Sequence, residues 1–287
     1  MIISIFELIL LYLPLILGAY LAISLMQIPN LAIESSFLMG AIIGSLFTNY
    51  FANHVFLSLG ISLMAAGVAG GLTGLLVACL HLYGKLSLLL SNIVTIGATY
   101  GFSIVMLGGS HLTLNQHNNP LLIINFITNY PMLPTLIFIT ILISSLMFYF
   151  FKTNLGRICA VYGHNLKFLA AHKISTNYVL CVGLTIANFL AGICGYLVAQ
   201  NNGFVDTSMS KGIALLSITA LMIGKIFLKS KPIDFKIPIL GTAGYFLLQT
   251  SLMSLGFDLL YFPLIQAAAL TGIFISQNSR HHLNLGV

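Results

Sequence analysis

Residues 35–84 read SSFLMGAIIGSLFTNYFANHVFLSLGISLMAAGVAGGLTGLLVACLHLYG, fifty positions without one Asp, Glu, Lys or Arg. A bilayer-spanning helix needs about 20 consecutive apolar residues. A charge at its centre costs about 2.5–3.5 kcal/mol on insertion scales. The stretch has room for two such helices, and the chain repeats the pattern. Formal charges are also missing from Leu8 to Ile33, from Leu86 to Phe151 and from Ile174 to Val205. Charged residues make up 6% of the chain and apolar residues 59%, whereas soluble domains carry about 25% charged residues. This composition cannot cover a water-facing surface of 287 residues. The expected fold class is therefore all-α, a polytopic transmembrane helix bundle forming one domain over residues 1–287.

Spans are expected near 6–28, 37–52, 56–80, 86–107, 133–151, 176–199, 212–228, 238–255 and 259–276, about nine in all (8–10). Pro29 and the short polar stretch to Ser36 join the first two, as a loop or as a broken segment. With nine spans, nine of the eleven basic residues fall on one side: Lys85, Lys152, Arg157, Lys167, Lys173, Lys229, Lys231, Lys236 and Arg280. The positive-inside rule then places the N-terminus outside and the C-terminus in the cytoplasm. No cleavable leader is read at the start, because Glu7 stands where a basic region belongs. The net charge of +6 thus reports cytoplasmic loops and not a nucleic-acid partner.

Gly71-Leu-Thr-Gly-Leu-Leu-Val-Ala78 echoes Gly192-Ile-Cys-Gly-Tyr-Leu-Val-Ala199 at five of eight positions. On the expected topology the two helices run in opposite directions. An inverted-topology repeat gives this pattern, and so does ordinary small-residue packing between membrane helices. Cys79, Cys159, Cys181 and Cys194 have no metal or redox spacing and read as packing residues. His111 and His117 lack a third ligand and read as solvated loop residues, so no metal site is expected.

The polar stretch 152–175 has structure of its own. Asn154 can cap a short helix from Leu155 to Tyr162, Gly163 breaks it, and Asn165 can cap a second from Leu166 to His172. Leu155, Ile158, Leu166, Leu169 and Ile174 can rest on the bundle, while Arg157, His164, Lys167 and Lys173 face outward. Read from the residues alone, the stretch is either a solvated connector or a docking element for a soluble subunit. Polar residues inside spans mark candidate pathway positions, because intramembrane polarity is costly unless buried or functional. These are Asn92, Thr95 and Thr99, which share a helix face, with Asn188, Ser217, Thr219 and Gln249. For any single one of them, interhelical hydrogen bonding is the more ordinary explanation. Glu34 reads as a loop charge on the inner side. Glu7, Glu34, Asp206, Asp234 and Asp258 all fall near span ends, which argues against a proton-coupled carrier.

The stretch Thr153-Asn-Leu-Gly-Arg-Ile-Cys-Ala-Val-Tyr-Gly-His-Asn-Leu-Lys-Phe-Leu-Ala-Ala171 resembles the cytoplasmic loop of ABC-importer permeases of the branched-chain amino-acid and ribose type. Ile28-Pro-Asn-Leu-Ala-Ile-Glu-Ser-Ser-Phe37 is similar to that family's segment between its first two spans. Asn188-Phe-Leu-Ala-Gly-Ile-Cys-Gly-Tyr-Leu-Val-Ala-Gln200 followed by Gly203-Phe-Val-Asp206 and Lys211-Gly212 is similar to a later one, and Phe257-Asp-Leu-Leu260 to its turn before the last span. The ordered set most resembles the uncharacterised or tryptophan/tyrosine-type permeases. The chain departs from the pattern at Ser35-Ser36-Phe37, at Cys159 or Ala160 where a second basic residue belongs, and at His172-Lys173-Ile174 where a Gly is usual.

The resemblance implies a multi-pass permease subunit in the bacterial inner membrane, forming the path for a small solute such as an amino acid. It implies three partners besides lipid: a cytoplasmic ABC ATPase carrying ATP and Mg, an extracytoplasmic substrate-binding protein, and a second permease copy. No cofactor is expected on this chain. It has no G-x-x-x-x-G-K-[S/T] and is not itself an enzyme. Coupling to the ATPase falls to Leu155, Gly156, Arg157, Gly163, Asn165, Leu166, Lys167, Ala170 and Ala171. Leu155, Leu166 and Leu169 would anchor the loop, and Asp206 would face the binding protein. A proton-coupled secondary transporter and a structural subunit of a larger complex are the alternatives.

Overall fold

A computed structural model describes residues 2–51, 55–109, 111–114, 120–122, 132–228, 234–256, 263–268 and 270–271. Expectations for His117, Lys229, Lys231, Asp258, Phe257–Leu260, Arg280 and most of the ninth span fall outside these residues.

Helices stand where the charge-free stretches put them. They are α1 (Ile2–Ala19), α2 (Ile33–Tyr50), α3 (Val55–Leu82), α4 (Leu88–Leu107), α5 (Leu133–Lys152), α6 (Asn154–His164), α7 (Leu166–Ala171), α8 (Thr176–Asn202), α9 (Ile213–Phe227) and α10 (Lys236–Ser254). α1 continues through a π-helical segment, Tyr20–Leu25. Two short strands, β1 (His111–Thr113) and β2 (Phe204–Asp206), pair antiparallel.

Among the described residues, six helical segments are long and apolar enough to cross a membrane: Ile3–Leu25, Leu57–Leu82, Leu88–Leu107, Leu133–Lys152, Thr176–Asn202 and Thr207–Phe227. Helices α2 and α10, with 18 and 19 residues, overlap two other expected spans and begin four and two residues earlier. The side-chain distribution is that of a protein solvated by lipid. In α4 the buried residues are Ser91, Asn92, Thr95, Thr99, Ser103 and Leu107. Leu89, Leu90, Ile93, Val94, Phe102, Ile104 and Val105 are exposed. In water this inside-out arrangement would be unstable. In lipid the apolar face is solvated and the polar groups must find partners within the protein.

The centre of the bundle is α8, which buries nearly every residue from Ala187 to Gln200. It runs antiparallel to α1, with Gly18 against Ala187 and the Cys194 thiol donating to the Leu11 carbonyl. It also runs antiparallel to α3, with Gly70 against Gly192 and Gly74 against Leu184. It runs parallel to α2, where Ser36 meets Asn188 and Thr48 meets Tyr196. Glycine makes this approach possible. A Cβ on Gly70 would lie 2.8 Å from the Gly192 Cα, and one on Gly74 would lie 2.7 Å from the Asn188 Nδ2. The two echoing stretches therefore lie on neighbouring antiparallel helices, where Gly71 and Gly74 face residues 184–189 of α8 and Gly192 faces Ala66 and Gly70. Because α1 and α3 end where α8 begins, Lys85 and the run from Lys152 to Lys173 gather at one end of the bundle. Asp234, two residues before Lys236, donates its N–H to the Tyr20 hydroxyl at that end.

Candidate functional site: a clamp on a broken helix

The first two spans join through a break buried in the bundle. Pro29 has no N–H and pushes the preceding residue out of the helical region. Gln27 adopts φ +54°, and Ile28 and Asn30 are almost fully buried. The following N-cap position, Ala32, has no side-chain cap. Backbone groups freed this way inside lipid each cost several kcal/mol unless partnered. Asn92 partners two of them. Its Nδ2 donates to the Pro29 carbonyl at 2.9 Å, and its Oδ1 accepts from the Ala32 N–H at 2.9 Å. Across the break, the Asn188 Oδ1 accepts from the Ser36 hydroxyl at 2.7 Å and from the Asn30 Nδ2 at 3.4 Å. Thr73 on α3 closes the cluster against Ser36. Asn188 lies twelve residues into α8, about 18 Å from its start at about 1.5 Å per residue. The cluster thus lies inside the span Thr176–Asn202, away from both of its ends.

A second discontinuity meets the first. After β2 the chain makes a 3₁₀ turn, Thr207–Ser210, and α9 begins behind Gly212 at φ +84°. The Glu34 carboxylate accepts from the N–H groups of Gly212 at 3.1 Å and Ala214 at 3.3 Å. Glu34 is thus a member of α2 capping a helix 178 residues away, not the inner loop charge expected from sequence. The turn before it is held by Asp206, whose carboxylate accepts from the Ser208 N–H at 3.0 Å and hydroxyl at 2.8 Å. These bonds hold its carboxyl below the ordinary range, helped by His111 across the ladder.

Of the other expected pathway residues, Thr95, Thr99, Ser217 and Thr219 are buried but bond within their own helices. Thr95 and Thr99 donate to the Ser91 and Thr95 carbonyls. Ser217 and Thr219 donate to the Ala214 and Leu215 carbonyls. The Gln249 Oε1 is buried with no hydrogen-bond partner among the described residues. Of the residues singled out in the sequence, only Asn92 and Asn188 bond at the break. Asn30, Ser36, Thr73 and Glu34 were missed, although Pro29-Asn30 in a charge-free stretch was a usable signal. A second hydroxyl network lies beyond Asn188 along α8, where Thr48 joins Ser62 at 3.0 Å and the Tyr196 hydroxyl at 2.9 Å. A groove of about 730 Å³ between α3, α5 and α8 is lined wholly by apolar residues, among them Leu63, Phe138 and Phe189. It offers a solute no polar partner.

The polar loop forms two helices, with corrections. Thr153 caps α6, accepting from the Gly156 N–H, where Asn154 was expected. Asn165 caps α7 through the Phe168 N–H at 3.0 Å. Gly163 does not break the first helix but lies inside it, one residue from its end. A Cβ there would overlap the Leu25 carbonyl oxygen and lie 2.8 Å from the Met26 carbonyl carbon. Glycine is needed for approach, and α6 rests on the backbone leading into the break. Gly183 on α8 receives the Met26 side chain on the other side. Leu169 is fully buried, as are Cys159 and Ala160. Leu155 and Leu166, expected as anchors, are 41% and 51% exposed, as is Phe168 at 45%. They face outward with Arg157, Lys167, Ala170 and Ala171.

Residues 1–275 match the model of the family described as branched-chain amino acid transport system, permease component. The chain belongs to this family. It is a multi-pass protein of the bacterial inner membrane and an ABC-type amino-acid permease. It is 28% identical over 208 residues to the tyrosine transport system permease protein of Clostridioides difficile (strain R20291), covering 72% of this chain and 67% of that one. It is 27% identical over 276 residues to an uncharacterised protein of Rickettsia prowazekii (strain Madrid E), covering 94% of both. No solved structure matches the chain.

Proposed function

We propose that the chain forms the path of an ATP-driven amino-acid importer, crossing the membrane about nine times with its N-terminus outside. A separate ATPase, carrying ATP and Mg, docks on the outward face of α6 and α7. Arg157 and Lys167 supply charge there, and Leu155, Leu166 and Phe168 supply apolar area. Exposed leucine and phenylalanine beyond the lipid need a covering partner, which a solvated connector would not. A substrate-binding protein meets the opposite end around Asp206, and a second copy of the chain completes the path. The family supports these partners in general, and the α3–α8 echo is consistent with an inverted repeat.

One observation carries the mechanism: Gly163 brings α6 onto the Leu25–Met26 backbone, four to five residues from Asn30 and its contact with Asn188. Movement of α6 would shift the π-helical segment and re-register the clamp held by Asn92 and Asn188. Alternating access then needs only exchange among hydrogen bonds of comparable strength. The remaining candidates, Thr95, Thr99, Ser217, Thr219 and Gln249, would line the path once their helices part. The test is co-purification from native membranes: an ABC ATPase should accompany the chain, and deletion of Leu166–Ala171 should remove it without preventing membrane insertion. The position of Glu34 favours a second reading, a proton-coupled carrier. That reading requires uptake to continue with ATP depleted and a proton gradient intact.

A further inference from the structure

We infer that the groove between α3, α5 and α8 is a binding site for the acyl chain of a resident phospholipid, which packs directly on the central helix. The space exists because of how α5 is held. It packs on α1 and leads into α6, but among the described residues it barely approaches α3 or α8. A slot is left between α3 and α5, and Ile186, Phe189 and Ile193 of α8 form its floor. Met64 on the α3 wall and Phe138 on the α5 wall are 63% and 66% exposed, so the mouth opens to the hydrocarbon. Gly60 stands at the rim, where an added Cβ would meet nothing within 4 Å.

Size and chemistry select the occupant. The α5 wall runs from Phe138 to Phe150, a length of about 18 Å at about 1.5 Å per residue. One leaflet supplies about 15 Å, half of an apolar core about 30 Å thick. A helix from another protein, about 10 Å across, would displace roughly 1,400 Å³ over that length. The groove holds about 730 Å³, so such a helix would rest on the rim and leave the floor bare. Water is a poor occupant, because a buried water needs two to four polar partners and the lining is apolar. An empty groove would forfeit the dispersion contacts of every side chain along it. An extended hydrocarbon chain is narrow enough to enter and long enough to fill the slot. It gives α8 lateral packing where no helix covers it, beside Phe189, the residue next to Asn188 of the clamp.

The sequence supplies its own probe, since it contains no tryptophan and a single introduced indole reports alone. Phe189→Trp places one on the groove floor and Phe150→Trp places one on the α5 wall. Phe102→Trp, on the exposed face of α4, reports bulk lipid, and Phe246→Trp, only 2% exposed, reports the protein interior. The full-length chain is reconstituted in phosphatidylcholine with brominated acyl chains, which quench indole fluorescence on contact. It is then transferred to detergent free of that lipid. The inference predicts that both groove tryptophans are quenched in the bilayer as strongly as Phe102→Trp. In detergent they should stay quenched after Phe102→Trp has recovered, while Phe246→Trp is bright throughout. If Phe189→Trp does not fold against Gly67, Phe150→Trp carries the test. Bright groove tryptophans in the bilayer show that protein, such as a second copy of the chain, fills the groove. Recovery in step with Phe102→Trp shows ordinary exchanging lipid only. Either result overturns the inference.

Discussion

Replacing Gly163 with alanine tests how α6 acts on the bundle. The new Cβ would overlap the Leu25 carbonyl oxygen and stand 2.8 Å from the Met26 carbonyl carbon. Ordinary contact needs about 3.5 Å, so α6 must retreat from the π-helical segment. Overpacking of this kind costs about 1–3 kcal/mol. The loop has other anchors, since Leu169, Cys159 and Ala160 stay buried, and the outward face of α6 and α7 is untouched. The ATPase should therefore still bind, within about twofold of wild type. Transport should fall by about five- to a hundredfold if the strain is felt only in the conformation that carries the contact. ATP hydrolysis should continue, so the number of ATP spent per solute rises. The assay is paired measurement of hydrolysis and uptake on one reconstituted preparation. A Gly163→Ala protein with a wild-type ratio of uptake to hydrolysis would refute the argument that α6 works through Leu25 and Met26.

Further outcomes can be measured on the same preparation. Asn92→Leu leaves the Pro29 carbonyl and Ala32 N–H without partners and should destabilise the protein by about 1–3 kcal/mol per orphaned group, read as a drop in unfolding midpoint. Asn188→Leu should also abolish uptake, because it removes the acceptor shared by Asn30 and Ser36. Phe168→Asp should weaken ATPase binding in pull-down without changing membrane insertion, because that ring is exposed. Asp206 has a lowered carboxyl pKa through its bonds to Ser208. Its contribution to the outer turn is present above the unfolded value and lost only as pH falls through the lower folded one. Stimulation of ATP hydrolysis by the binding protein should hence be flat from about pH 7 to pH 5, above the ordinary carboxylate range. Asp206→Asn should weaken that stimulation across the whole interval.

Much of the fold was legible because lipid makes sequence rules simple. Backbone groups in hydrocarbon must be bonded within a helix, so the charge gaps translate almost directly into α1 to α5 and α8 to α10. Local chemistry also sufficed for α7, where Asn165 reaches only to Phe168. It was ambiguous for α6, because Thr153 and Asn154 are both good caps and which one is used depends on where α5 ends. Gly163 was misjudged for a different reason. A glycine near a helix end suggests a stop, but here it permits contact with a backbone 137 residues earlier. The clamp was only partly legible for the same reason: Pro29 marks a break, but not what holds it. Asn92 reads as a polar residue on an apolar helix until the Pro29 break is beside it in space. Glu34 was placed by its distance from the span ends, and nothing local announces that α9 begins next to it.

The central claim is that ATP hydrolysis on a partner protein drives solute through this chain. It is tested most directly in vesicles holding the permease and its ATPase, with the binding protein outside, a labelled amino-acid mixture, and either trapped ATP or an imposed proton gradient. The account predicts uptake with ATP alone, none with the gradient alone, and none when the binding protein is omitted. Uptake driven by the gradient in vesicles without ATP would contradict it.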